Sequence, residues 1–269
     1  MIHPKLCVNA LSSFNWSFEQ DLALWRELGV RFAGLLISKI DDDVDGKLQR
    51  LTDAGIRPSV IVCGGFNIGD PTTWEETQRG INNILAAVAK VDKECVVYFP
   101  PGRTSCDTWE NVVEQFAEAV KPCVAFSRNC GVRLAFEPTH RTDASFVASL
   151  KDAIGIAERT GLGLVLDFGN CWMESDLQST ILTAGRHIAL VQIDDVDIGG
   201  YGNGPGMGRV QIGDGELPLK RLMQYVIESG YQGVFDLEVI GPSVEKEGYD
   251  SALRRGTGSA SELLYEMGV

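Results

Sequence analysis

The stretch VRLAFEPTH, residues 132–140, runs strand-like apolar residues straight into Glu137 and then stops, with Pro138 and His140 just beyond. The pattern returns in GLVLDFGN (163–170) around Asp167 and in GVFDLEVIG (233–241) around Glu238. A strand that delivers a carboxylate at its end and then breaks puts charge at one edge of a sheet. Repetition of that device calls for a fold in which the strand ends meet.

Working outward, apolar strand candidates alternate with helical patterns along the chain. The strands are 5–11, 32–38, 57–64, 95–100, 132–138, 162–169, 188–194 and 233–240. Most are apolar at consecutive positions, as parallel strands covered on both faces require. Ser17 and Gln20 make a capping-box pattern before LALWREL (22–28), and Asp107 with Glu110 repeats it before VVEQFAEAV (112–120). Helices over 42–54, 145–160 and 217–229 each end at a glycine (Gly55, Gly161 and Gly230), as a left-handed C-cap requires. Further helices are expected over 73–90, 175–184 and 251–267. Eight strand–helix units without a linker predict one (β/α)8 barrel, a TIM barrel, spanning 1–269 as a single α/β domain. No GxGxxG turn follows the first strand, which weighs against a doubly wound sheet.

At 269 residues with a net charge of −13, the chain lacks the basic footprint of a nucleic-acid or anionic-membrane surface. No segment reaches the length of an apolar membrane span, and the N-terminus reads as the first strand rather than an export signal. Seven cysteines with no CxxC pair fit reduced thiols in a cytoplasmic compartment.

The active site of such a barrel lies at the C-terminal strand ends. Glu137, Asp167, Gln192 and Glu238 fall at or near the ends of strands five to eight. Crowded carboxylates repel unless a cation neutralises them, so a divalent metal is the economical reading. All-oxygen ligation favours a hard ion, Mn²⁺ or Mg²⁺, over tetrahedral zinc.

The motifs LAFEP (134–138), GLVLDFGN, ALVQIDD (189–195), GRVQIGDGELPLKRL (208–222) and GYQGVFDLEV (230–239) together resemble the xylose isomerase-like superfamily of sugar phosphate isomerases and epimerases. That resemblance covers essentially the whole chain. In the family a Glu, an Asp, a His and a Glu hold one divalent metal, which implies ligation here by Glu137, Asp167, Gln192 and Glu238. It also implies a proton-transfer role for Glu137 and Glu238 beside a substrate carbonyl, and substrate contact by Arg209. Family members are commonly homo-oligomers. Two positions depart from the family: Gln192 replaces a histidine, and Asn170 stands where another histidine is usual. Either the metal is kept with weaker affinity and a harder preference, or it is lost and the barrel has turned to metal-free chemistry.

Other residues fill out the expected site. His140, just past strand five, is a candidate acid/base; His187 and His3 lie on the opposite rim and read as structural. Trp16, Phe66, Phe99 and Trp172 follow strand ends and either line a substrate pocket or pack beneath loops, and Asn170 is a substrate-contact candidate. The glycine-rich stretch 199–208 reads as a mobile lid. Lys39 and Arg103 read as solvated, with contact to an anionic substrate the alternative.

The expected activity is metal-dependent isomerisation or epimerisation of a keto-sugar or cyclic polyol by proton abstraction next to a carbonyl. A lyase or dehydratase would share the first step. A DNA-repair endonuclease is excluded by three histidines and the acidic charge. A non-catalytic small-molecule-binding barrel is a third reading.

Overall fold

Strands that are apolar at every position can be satisfied only when both faces are covered, and here they are. The computed structural model describes residues 1–105, 107–200 and 208–269. Its strands are β1 (Leu6–Asn9), β2 (Phe32–Leu36), β3 (Arg57–Val62), β4 (Val96–Phe99), β5 (Arg133–Phe136), β6 (Gly163–Asp167), β7 (Ile188–Ile193), β8 (Asp195–Val196), β9 (Arg209–Val210) and β10 (Phe235–Leu237). All but β8 and β9 form a closed parallel barrel in the order β1-β10-β7-β6-β5-β4-β3-β2. The short β8 and β9 pair with each other antiparallel, an addition that the strand pattern did not announce. The fold is thus the single (β/α)8 barrel that the sequence predicts.

Two apolar layers result from the two faces of each strand. Cys7, Val60, Val96, Tyr98, Ala135, Val165 and Leu190 cluster together inside the barrel. The alternate residues join a larger cluster with the surrounding helices, which bury side chains such as Trp25, Leu85, Phe116 and Leu264. Truncating a fully buried aromatic such as Trp25 to alanine would cost about 3–5 kcal/mol. Side chains alternate with a period of two, so the residue two beyond an interior one shares its face. Cys7 is followed in this way by Asn9, Ala135 by Glu137, Val165 by Asp167 and Leu190 by Gln192. The barrel interior therefore changes from apolar to polar as it approaches its C-terminal mouth.

Helix ends follow local chemistry. Ser17 and Gln20 form the capping box of helix Phe18–Leu28. The helix before β5 runs Trp109–Cys130 and is capped by Thr108, whose side chain accepts from the N–H of Asn111. That corrects the expected cap at Asp107: the threonine hydroxyl sits one position closer to the first free N–H groups. Gly55, Gly161 and Gly230 all take positive φ just past their helices. The chain end carries two helices, Pro242–Glu247 and Tyr249–Met267, the second starting earlier than the expected residue 251. The described cysteines are free thiols; Cys106 lies outside the described residues. Among the described residues no helix is long and apolar enough to cross a membrane.

Candidate active site

Each expected carboxylate is set by the ladder that ends beneath it. Glu137 stands one residue past β5, and its N–H still donates to the Phe99 carbonyl of β4 at 3.1 Å. Glu238 stands one past β10, its N–H donating to the Ile193 carbonyl of β7 at 3.1 Å. Asp167 closes β6 and caps the one-turn helix Phe168–Cys171, accepting from the N–H of Asn170 at 2.7 Å. Gln192 on β7 is in register with Asp167 on β6 and with Asp236 on β10.

Side-chain hydrogen bonds tie these strand ends together. Asn170 Nδ2 donates to Glu137 Oε1 at 2.8 Å, and Thr139 Oγ1 donates to Asn170 Oδ1 at 3.3 Å. Gln192 Nε2 donates to Tyr98 Oη at 3.0 Å, to Asp236 Oδ2 at 3.4 Å and to Glu238 Oε2. Asn9 Nδ2 donates to the same Asp236 oxygen at 2.7 Å. The Gln192 carbonyl oxygen is buried and has no partner among the described residues.

One cation is built in. Arg209, carried back over the barrel by β9, pairs with Asp167 at 3.0 Å and with Asp194. The arginine side chain is 8% exposed and both carboxylates are fully buried. Gly169 makes the arrangement sterically possible: its N–H donates to Asp194 at 2.8 Å, and a Cβ there would stand 2.7 Å from Arg209 Cζ. Asp195, next to Asp194, accepts from the backbone N–H groups of Val196 and Gly213 at 2.9 Å and of Gly215 and Leu217 at 3.2 Å. It fastens the outgoing strand β8 to the chain returning past β9.

Arg209 does not offset all of the charge. Burial, followed by the charge of Asp167, pushes Glu137 up to about 8, against the opposing pull of Arg209, Arg141 and Asn170. Glu238 is raised well above the carboxylate range by burial and then by Glu137 and Asp167. Burial raises Asp236 to about 6. Burial lowers His140, with Asp167 pulling the other way. The site accordingly holds protons that a cation could replace.

The sequence matches the family described as xylose isomerase-like TIM barrel over residues 22–259. The chain belongs to that family. Solved structures share its barrel. The IolI protein, solved with a zinc atom, superposes with a TM-score of 0.85 at 20% identity, covering 98% of this chain and 99% of its own. The probable 3-DHS dehydratase AsbF from Bacillus anthracis gives 0.76 at 13% identity, covering 95% and 98%. D-psicose 3-epimerase with D-tagatose from Clostridium cellulolyticum H10 gives 0.70 at 16% identity, covering 98% and 95%. No curated protein matches the sequence.

This xylose isomerase-like barrel brings Glu137, Asp167, Gln192, Glu238, Asn170 and Arg209 together at the mouth, with His140 partly buried beside them. Other candidates fall elsewhere. Phe66 is 2% exposed and packs edge-on against Phe99, so both belong to the core rather than to a pocket wall. Trp16 is half-buried against Tyr249, and Trp172 is half-buried against the core. Lys39 is neither solvated nor free for a substrate. Its ammonium is buried, pairs with Asp21 at 2.7 Å and donates to the carbonyls of Ala10 and Ser13. Arg103 is exposed, as expected. His187 and His3 are on the far rim, where His3 packs edge-on against Tyr265. Of the expected lid, 199–208, residues 201–207 lie outside the described residues.

Sequence reasoning missed Asp194, Asp236, Tyr98 and Asn9. A period-two count back from Glu238 finds Asp236, and forward from Gln192 finds Asp194. Tyr98 and Asn9 gave no signal, since one reads as a core aromatic and the other as the end of a strand.

The donor chemistry suits a hard divalent ion. Glu137, Asp167 and Glu238 offer carboxylate oxygens, and Gln192 offers a buried carbonyl oxygen that no described residue satisfies. Among the described residues no three His, Cys, Asp or Glu side chains are gathered closely enough to hold an ion. Asp167 is turned to Arg209 instead, and Gln192 is not one of those residue types.

Proposed function

We propose that this chain is a divalent-metal-dependent isomerase or epimerase that moves a proton next to a carbonyl of a small polyhydroxylated substrate. The observation that carries the reading is the placement of Glu137 and Glu238. They end β5 and β10, which are separated around the ring by β6 and β7. Two carboxylates on different sides of one mouth can serve opposite faces of a substrate carbon, one taking a proton and the other returning one. Asn170 holds Glu137 by one oxygen, which leaves the other available to the substrate. Arg209 supplies donors for substrate hydroxyl or carbonyl oxygens, and Asp194 holds the guanidinium at the mouth. His140 stands next to the same face as a further proton carrier.

Glu137, Asp167, Gln192 and Glu238 would hold the ion, Mn²⁺ or Mg²⁺ by their hardness. When bound, the ion polarises a substrate carbonyl and lowers the cost of the negative charge that proton removal creates. The same first step can lead elsewhere: if the second residue gives its proton to a departing hydroxyl instead of to carbon, the outcome is loss of water.

The test is a screen of keto-sugars and cyclic polyols with the Mn²⁺-supplemented protein in deuterated water. Deuterium entering a carbon beside a carbonyl, with the substrate's atoms otherwise conserved, supports the isomerase reading. Deuterium uptake with loss of water moves the chain to the lyases. Binding without any exchange would sink proton abstraction altogether.

A further inference from the structure

Gln192 can present either its oxygen or its nitrogen to the mouth, and only one choice makes it a ligand. The structure contains a chain of side chains that settles which. It begins at a backbone N–H, Leu11, which can only donate, and which donates to Asn9 Oδ1 at 2.9 Å. The Asn9 nitrogen must then face the other way, and it donates to Asp236 Oδ2 at 2.7 Å. Gly34 leaves the room for this: a Cβ there would lie 2.8 Å from Asn9 Cγ. Asp236 is fully buried at the strand register next to Gln192. Its carboxylate is an acceptor, so the side of Gln192 facing β10 has to be the nitrogen. Tyr98 Oη and Glu238 Oε2 accept from the same nitrogen. The reversed amide would press its oxygen against the Asp236 carboxylate.

We infer that Asp236, backed by Asn9 and Tyr98, is a positioning residue that locks the Gln192 amide with its nitrogen toward β10 and its carbonyl oxygen free to serve as a cation ligand. The inference rests on the reading of Gln192 as a metal ligand and assigns the residues that make it one. A neutral amide, unlike a carboxylate, has a wrong face as well as a right one. A chain that places glutamine at this position therefore needs an orienting partner that a carboxylate ligand does not need in the same form.

The experiment titrates wild type, Asp236→Leu, Tyr98→Phe, Gln192→Glu and the Gln192→Glu/Asp236→Leu double variant with Mn²⁺, reading free ion by its EPR signal. Circular dichroism melting confirms the fold of each. Leucine at 236 keeps the shape but accepts no hydrogen bond, so the lock is lost and Mn²⁺ affinity should fall by about 10–100-fold. Tyr98→Phe, which retains Asp236, should lose less, and it carries the test if Asp236→Leu fails to fold. Glutamate at 192 has no wrong face. In that background Asp236→Leu should not weaken Mn²⁺ binding, because it removes only a repelling charge. Equal losses in both backgrounds would make Asp236 a plain source of negative charge and overturn the inference. Unchanged affinity in folded Asp236→Leu and Tyr98→Phe would overturn it too, with the metal reading intact. A wild type that binds no Mn²⁺ would remove both.

Discussion

Asn170 grips the site from two sides: its backbone N–H donates to Asp167 at 2.7 Å, and its side chain donates to Glu137 at 2.8 Å. A donor to a carboxylate favours the ionised form, so this amide lowers a Glu137 pKa that burial has raised to about 8. Asn170→Ala should raise it further. If Glu137 acts as a base, the acidic limb of the kcat/KM profile then moves to higher pH, while turnover above that limb changes less. An unmoved limb would mean that Glu137 is not the group titrating there.

Glu137→Gln and Glu238→Gln should each lower turnover at least about a hundredfold, the usual scale for a lost acid or base. Both replacements keep shape and hydrogen-bonding capacity, so melting curves should stay close to wild type. A variant with near-normal turnover on the natural substrate removes that residue from proton transfer.

Arg209→Ala should raise KM more than it lowers kcat if the guanidinium chiefly holds substrate oxygens in the ground state. It also strands Asp167 and Asp194, both fully buried, without their counter-ion. Removing one partner of such a pair costs on the order of 3–5 kcal/mol. Added Mn²⁺ should recover part of the lost melting temperature in this variant. An unchanged KM together with an unchanged melting temperature would place Arg209 outside the site's machinery.

Gln192→His should shift metal preference toward cobalt, nickel or zinc, since imidazole nitrogen suits later transition metals, and Gln192→Leu should weaken all binding. Competition titrations with elemental analysis of the recovered protein read this directly. Identical preferences in all three proteins would show that Gln192 does not touch the metal.

Stability of the chelator-treated protein should fall as pH rises. Glu137, lifted to about 8, and Asp236, lifted to about 6, both sit above their ordinary values. A raised folded-state pKa means that the native chain holds protons the unfolded chain has released. Its stabilising contribution is complete below the ordinary carboxylate range and is lost as pH climbs through about 6 and then about 8. Melting temperature measured from about pH 5 to about pH 9 should decline, and saturating Mn²⁺ should flatten the slope. A melting temperature that rises over that window contradicts the assignment.

The barrel was legible because buried parallel strands must be apolar throughout, and β6 and β7 are buried at every position. Glu137, Asp167, Gln192 and Glu238 were legible because a polar group at the end of such a run has few other reasons to be there. Asp236 escaped because a single aspartate inside VFDLEV looks like a flaw in a strand, and its purpose lies on β1 and β7. Arg209 was expected to meet substrate, but its pairing with Asp194 depends on the β8–β9 return, which two-residue strands do not advertise. Lys39 was misjudged because the turn Ile37–Lys39 folds its stem inward onto Asp21, a distant partner in sequence.

The carboxylate of Asp195 gathers the N–H groups of Val196, Gly213, Gly215 and Leu217. Departure and return of the chain after β7 are thereby stitched at one point, and a Cβ at Gly215 would collide with the knot at 2.2 Å from Asp195 Oδ1. Placement of Arg209, paired with Val196 beside that knot, is consequently uncoupled from the length and composition of the segment between β8 and β9. Over evolutionary time that segment can be exchanged, lengthened or recoded for a new substrate while the arginine keeps its address.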